Sequence, residues 1–146
     1  MTAPPDRPRI VKRKLAIRPQ FYQTDMMGVI HNSEFFRWFE EGRLHFFADI
    51  LSFEDAMREG IALPVVRNVC DYLKPVRYGD NLVLTTEHEV RAEYGGRLSF
   101  RHSLANEDTK VEAAVGETVV TLVDMKTGRL IRELPDRVRD RYLALK

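Results

Sequence analysis

Phe21-Tyr22-Gln23-Thr24-Asp25-Met26-Met27-Gly28-Val29-Ile30-His31-Asn32-Ser33-Glu34-Phe35-Phe36-Arg37-Trp38-Phe39-Glu40 reads as the end of a strand, a tight loop carrying one acid, and an aromatic-rich helix. Gly28 stands three positions after Asp25, where a turn with unusual dihedrals is useful, and Asn32 or Ser33 is a suitable N-cap for the helix. A carboxylate in a loop that leads into a helix N-terminus lies beside positively polarised backbone N–H groups. These favour its ionised form and can also hold a substrate carbonyl. The loop therefore predicts a base and an oxyanion site side by side.

The helix is expected to run to about residue 50 or 51, because Phe35, Phe39, Gly42, Phe46 and Ile50 recur at steps of three and four. Glu34, Arg37, Glu41 and Asp49 fall elsewhere on it. Gly42 costs such a helix about 1 kcal/mol relative to alanine, which implies close approach of its backbone to a sheet or to another chain. Upstream, residues 1–8 hold three prolines and little apolar surface, so they read as a loose tail. Residues 9–22 alternate loosely between apolar and basic, as a partly wetted strand that Pro19 bends or ends.

Ser52 to Gly60 carries the marks of a short second helix: a serine N-cap, acids in the first turn and a glycine stop. Residues 63–76, 82–90, 97–105 and 111–124 then read as strands, separated by short turns that imply antiparallel pairing. In the third of these, Leu98, Phe100, His102 and Leu104 share one face, so one side of the sheet meets a core. Pro135 introduces a charged terminal helix read as a solvated cap. One long helix and about five antiparallel strands bury each other best as an α+β fold, a sheet wrapped around one central helix in a single domain over residues 9–146.

The chain has 146 residues, 44% hydrophobic and 31% charged, and a formal net charge of +1. That excludes a bulk electrostatic case for nucleic acid or membrane binding. Nowhere is there an apolar run long enough to span a bilayer, and the single cysteine, Cys70, fits a reducing compartment. A cytoplasmic protein without membrane insertion is expected. Cys70 stands in an apolar strand and is read as a buried, inert thiol. The four histidines (His31, His45, His88, His102) show no metal-ligand spacing, so no metal is expected.

Residues 22–35 and 37–43 together resemble the hotdog-fold acyl-CoA thioesterases of the 4-hydroxybenzoyl-CoA thioesterase family, acid, glycine, asparagine and aromatic all keeping their spacing. A second block, Asp71-Tyr72-Leu73-Lys74-Pro75-Val76-Arg77-Tyr78-Gly79-Asp80, is similar to the tyrosine, proline and glycine-aspartate pattern between two strands of that family. Phe35 stands where a tyrosine is usual and Gly42 where alanine is usual. The resemblance implies a hotdog fold, a homodimer or homotetramer with active sites at the dimer interface, an acyl-CoA substrate, and no cofactor, since CoA is part of the substrate. It aligns Asp25 with the family's catalytic acid and Asn32 with the position whose backbone N–H contacts the thioester carbonyl.

Around these two, His31 reads equally as a substrate contact and as a local structural one, and Glu41 as a solvated charge or a partner for Arg43 or Arg37. Gly28, Ser33, Phe35, Tyr72 and Arg77 complete the expected substrate-binding set. Lys74, Arg77, Arg91, Arg97 and Arg101 are cations available to CoA phosphates or simply to solvent. Thioester hydrolysis is the expected activity. A non-catalytic acyl-CoA or acyl-carrier-protein binding module is the alternative, and a hydratase on the same fold a weaker third. Asp25 discriminates, because a mere binder has no need of a carboxylate against the thioester.

Overall fold

A computed structural model describes residues 7–146; most of the expected tail lies outside the described residues. The strands are β1 (Arg9–Ile17), β2 (Ile61–Ala62), β3 (Val65–Tyr72), β4 (Leu82–Val90), β5 (Leu98–Asn106), β6 (Glu112–Val120) and β7 (Val123–Asp124), with helices α1 (Glu34–Phe47), α2 (Phe53–Glu59) and α3 (Asp136–Leu143). Five strands form one antiparallel sheet in the order β1-β4-β5-β6-β3, and β2 pairs with β7 in a small separate ribbon. The sheet wraps α1, which is the hotdog arrangement.

The alternation in β4 and β5 is what seats the helix. Leu84, Thr86 and His88 pair with Leu104, His102 and Phe100 and all face inward, as the period of two requires. Gly42 meets this sheet directly: a Cβ there would lie 2.5 Å from Thr86 Oγ1 and 2.7 Å from a Leu84 methyl. The close approach implied by that glycine is therefore to the sheet. Gly116 of β6 makes the matching hollow for Phe39, whose ring stacks on His102 at 4.3 Å between centroids.

The core has two apolar clusters, one around Phe35, Trp38 and Leu104, the other around Phe46, Phe100 and Leu122. Between them runs a buried polar belt. Thr86 Oγ1 lies 3.3 Å from His102 Nδ1, His102 Nε2 lies 3.1 Å from Thr118 Oγ1, and the Thr118 hydroxyl donates to Asn68 Oδ1 at 2.7 Å. Burial, with the Arg43 charge nearby, pushes the His102 imidazole down to about 3, so it stays neutral in this belt.

Several boundaries differ from those expected. The long helix ends at Phe47, with Ile50 and Leu51 N–H groups turning back to the Phe47 carbonyl, so Ile50 is buried from a turn and not from a fourth helical repeat. The first strand stops at Ile17, and Phe21–Gln23 is one turn of 3-10 helix. Residues 63–76 hold only the eight-residue β3, and residues 111–124 break after Val120 into the ribbon strand β7. Helix α3 is a correction of a different kind. Val138 and Tyr142, four apart on one face, are buried, and the Tyr142 hydroxyl lies 2.7 Å from His88 Nε2, so the helix plugs one end of the core. Its run of charge hid that face.

Candidate active site

The loop before α1 is shaped by its own acid. Oδ1 of Asp25 accepts from the Met27 N–H at 2.7 Å and the Val29 N–H at 3.4 Å, while Gly28 takes the left-handed φ of +76° that the turn requires. Thr24 bridges Ile30, Val29 bridges Arg77, and the Ile30 N–H donates to the Val76 carbonyl at 2.7 Å. The loop is thus laced to the connection between β3 and β4. Oδ2 of Asp25 has no hydrogen bond among the described residues.

At the helix start, Ser33 is the N-cap, but its hydroxyl does not cap the helix. Instead His31 Nδ1 accepts from the Ser33 N–H at 3.2 Å and lies 2.7 Å from the Ser33 hydroxyl. With Nδ1 accepting, the neutral ring carries its proton on Nε2. The Asn32 N–H donates to no acceptor among the described residues, while the Asn32 carbonyl accepts from the Tyr72 hydroxyl at 2.7 Å. Tyr72, pushed up to about 12 by burial and by Cys70, keeps that proton throughout the neutral range. Its ring also meets Phe35 edge-on at 4.9 Å. If the Asn32 N–H contacts the reacting carbonyl in the transition state, Tyr72→Phe, which loosens that peptide, is expected to lower kcat by about tenfold with little change in KM. Steady-state kinetics read this directly.

Asp25, His31, Asn32, Phe35, Tyr72 and Lys74 line one surface cavity of about 350 Å³. Five residues expected at the site are brought together here, and Lys74, the cation at its edge, joins them. Gly28 and Ser33 shape the loop and the helix start without lining the cavity. Arg77 lies outside the lining as well; its backbone bridges Val29 and its N–H donates to Asp80 Oδ2 at 2.9 Å. Trp38 and Phe39 are core residues, so of the aromatic stripe only Phe35 reaches the cavity. Cys70 is half-buried, not buried, and burial pushes its thiol up, away from thiolate chemistry. Among the described residues no cluster of three His, Cys, Asp or Glu is placed to hold a metal.

Of its two readings Glu41 is the solvated charge: it is exposed, and Arg37 faces Glu34 at 3.7 Å. Arg43 is only 8% exposed, and its Nη1 donates to Thr118 Oγ1 at 3.2 Å. The signal for this was present in the sequence, since Arg43 stands one and four positions from the apolar Gly42 and Phe39.

The model of the thioesterase-like superfamily matches residues 19–142. The chain belongs to that superfamily. It is 32% identical over 115 residues to a protein of Aquifex aeolicus named "Putative esterase", covering 78% of this chain and 85% of that one. It is 26% identical over 92 residues to the 1,4-dihydroxy-2-naphthoyl-CoA hydrolase of a Picosynechococcus strain, covering 62% and 63%. Among solved structures, the DHNA-CoA thioesterase of Staphylococcus aureus superposes with a TM-score of 0.75 at 26% identity, covering 83% of this chain and 80% of that one. The chain is a hotdog-fold enzyme of the thioesterase class; the resemblance to the 4-hydroxybenzoyl-CoA branch resolves only to the superfamily. No helix among the described residues is long and apolar enough to cross a membrane.

Proposed function

We propose that this chain hydrolyses acyl-CoA thioesters to the free acid and CoA, with Asp25 as the reacting carboxylate and the Asn32 N–H as the oxyanion donor. The observation that carries this reading is that Asp25 and Asn32 line one cavity, with Asp25 Oδ2 and the Asn32 N–H unpartnered among the described residues. In the general-base route Asp25 Oδ2 takes a proton from water as the water oxygen bonds to the carbonyl carbon. The carbonyl electron pair moves onto the oxygen held at Asn32. Collapse breaks the C–S bond, and the thiolate leaves with the proton from Asp25. In the nucleophilic route Oδ2 attacks the carbon itself, the C–S bond breaks with release of the CoA thiolate, and water opens the resulting anhydride; where the water adds at the Asp25 carbon, ¹⁸O from the water enters the Asp25 carboxylate. Thiolate is a good leaving group, so neither route needs a histidine or a cofactor.

The active unit is proposed to be a homodimer, paired again in a tetramer. Strand β3 is a sheet edge, and Val65 and Val66 are 44% and 48% exposed on it, as suits an edge that adds to its copy in a second sheet. The binding-module alternative has one observation in its favour: Asp25 Oδ1 already serves the turn, as a purely structural aspartate does. A thiol-release assay over short, long and aromatic acyl-CoAs separates the two readings. Turnover of at least one class is expected, and acyl-CoA binding with no thiol release would establish the binder.

A further inference from the structure

The two edges of the large sheet differ in charge. Strand β1 carries Arg9, Lys12, Arg13 and Lys14 and no acid, so a second copy paired there would set cation against cation. Arg9 and Arg13 are also tied to the carbonyls of Leu145 and Lys146. Strand β3 carries one charge of each sign, Arg67 and Asp71, with Val69 midway between them. All three line one trough with Arg101 and Glu117, on the side of the sheet away from α1. Arg67 and Asp71 are exposed, and neither joins an ion pair within 4 Å among the described residues.

The backbone of β3 fixes which groups a new strand can meet. The Leu73 N–H donates to the Ala113 carbonyl of β6 at 2.8 Å, and the direction of a strand's backbone groups alternates from residue to residue. Arg67, Val69 and Asp71 therefore turn theirs toward β6, while Asn68, Cys70 and Tyr72 turn theirs to the open edge. For two antiparallel copies of β3 the dyad must then fall on a residue. At Asn68 or Cys70 it sets the charges against Val65, Val69 or Leu73 of the partner subunit, and at Arg67 or Asp71 it sets like charge against like. At Val69 each Arg67 meets Asp71 of the partner subunit, in pairs whose Cα atoms stand only about 4.5 Å apart.

We propose that two copies of the chain join β3 to β3 about a dyad at Val69, and that this register builds each site from two chains. The inference rests on the homodimer reading above and deepens it. Asn68 exchanges backbone hydrogen bonds with Cys70 of the partner subunit, and the next such pair sets Tyr72 opposite Val66 of the partner subunit. Tyr72 holds the Asn32 carbonyl and lines the Asp25 cavity, so the partner strand borders that cavity. The same pairing covers Val65, Val66, Tyr72 and Leu73, each between 44% and 48% exposed in one chain.

The test uses Arg67→Asp and Asp71→Arg, both at exposed positions. In either variant alone like charges meet at both ends of the seam, and self-association is expected to weaken by about 100-fold or more. Sedimentation velocity would then show half the wild-type mass. Mixed, the two variants restore opposite charges in both pairs, so a heterodimer is expected to form, and with it the thioester hydrolysis that each variant alone has lost. Val69→Cys in a Cys70→Ser chain is expected to form an interchain disulfide under mild oxidation, since the two copies of residue 69 face each other within disulfide reach. Single variants that keep the wild-type mass, or a mixture that does not associate, overturn the proposal. So does a wild-type cross-link from Cys70 to Cys70 of the partner subunit, which would move the dyad to that residue. A monomeric wild type overturns it together with the homodimer reading. Mass and cross-linking need no turnover, so failure of the hydrolase reading leaves the register to be upheld or overturned by them alone.

Discussion

Asp25→Asn is expected to lower kcat by about 100-fold or more while KM changes little. The substitution is well suited to the question because asparagine keeps the oxygen that accepts the Met27 and Val29 N–H groups, so the turn and its lacing to Val76 and Arg77 survive. What it removes is the charge and basicity of Oδ2, the atom with no partner among the described residues. A structural aspartate predicts nearly normal kcat in the same variant. Single-turnover kinetics on a thioester that the wild type cleaves measure the difference, and retained turnover would remove Asp25 from the chemistry.

The second large effect is on stability. Gly116→Ala is expected to cost about 3 kcal/mol, the upper end of overpacking in a well-filled core. A Cβ there would lie 2.4 Å from Phe39 Cε2 and 2.5 Å from the Val69 carbonyl oxygen. The first neighbour is fully buried and stacked on His102, and the second is backbone of the paired strand, so neither gives way cheaply. Urea unfolding should show a lower midpoint with an unchanged slope. An unchanged midpoint would mean that α1 shifts freely over the sheet, contrary to the fit of Gly42 against Thr86 and Leu84.

The elements that carried one clean period were legible in the sequence. Strand β4 falls on residues 82–90 as expected, and β5 differs by one residue at each end, because alternating Leu, Thr, Phe and His leave one register. The short second helix was written in its Ser52 cap and in Gly60, whose φ is +69°. The end of α1 was not legible, since Ile50 keeps the helical spacing while reaching the core from a turn. Arg43 and Tyr142 were missed for a shared reason: each is a polar residue on an apolar face, read as surface because its type usually is. At the site, the loop and helix start were legible as a motif. The Tyr72 hydroxyl on the Asn32 carbonyl joins residues 40 positions apart, and no local pattern encodes that contact.

The two ends of the chain also share one consequence. Arg9, in the first strand, donates to the carbonyls of Leu143 and Leu145, and His88 in the neighbouring strand lies within hydrogen-bond reach of Tyr142. Strand β1, the first part of the sheet to leave the ribosome, therefore waits for nearly every later residue before its contacts are complete. Until residue 145 has emerged, Phe46, Val90 and Phe100 form a core without its plug. Closure of this fold therefore waits for α3, and a nascent chain stalled before it would present that open apolar end to whatever binds unfinished proteins.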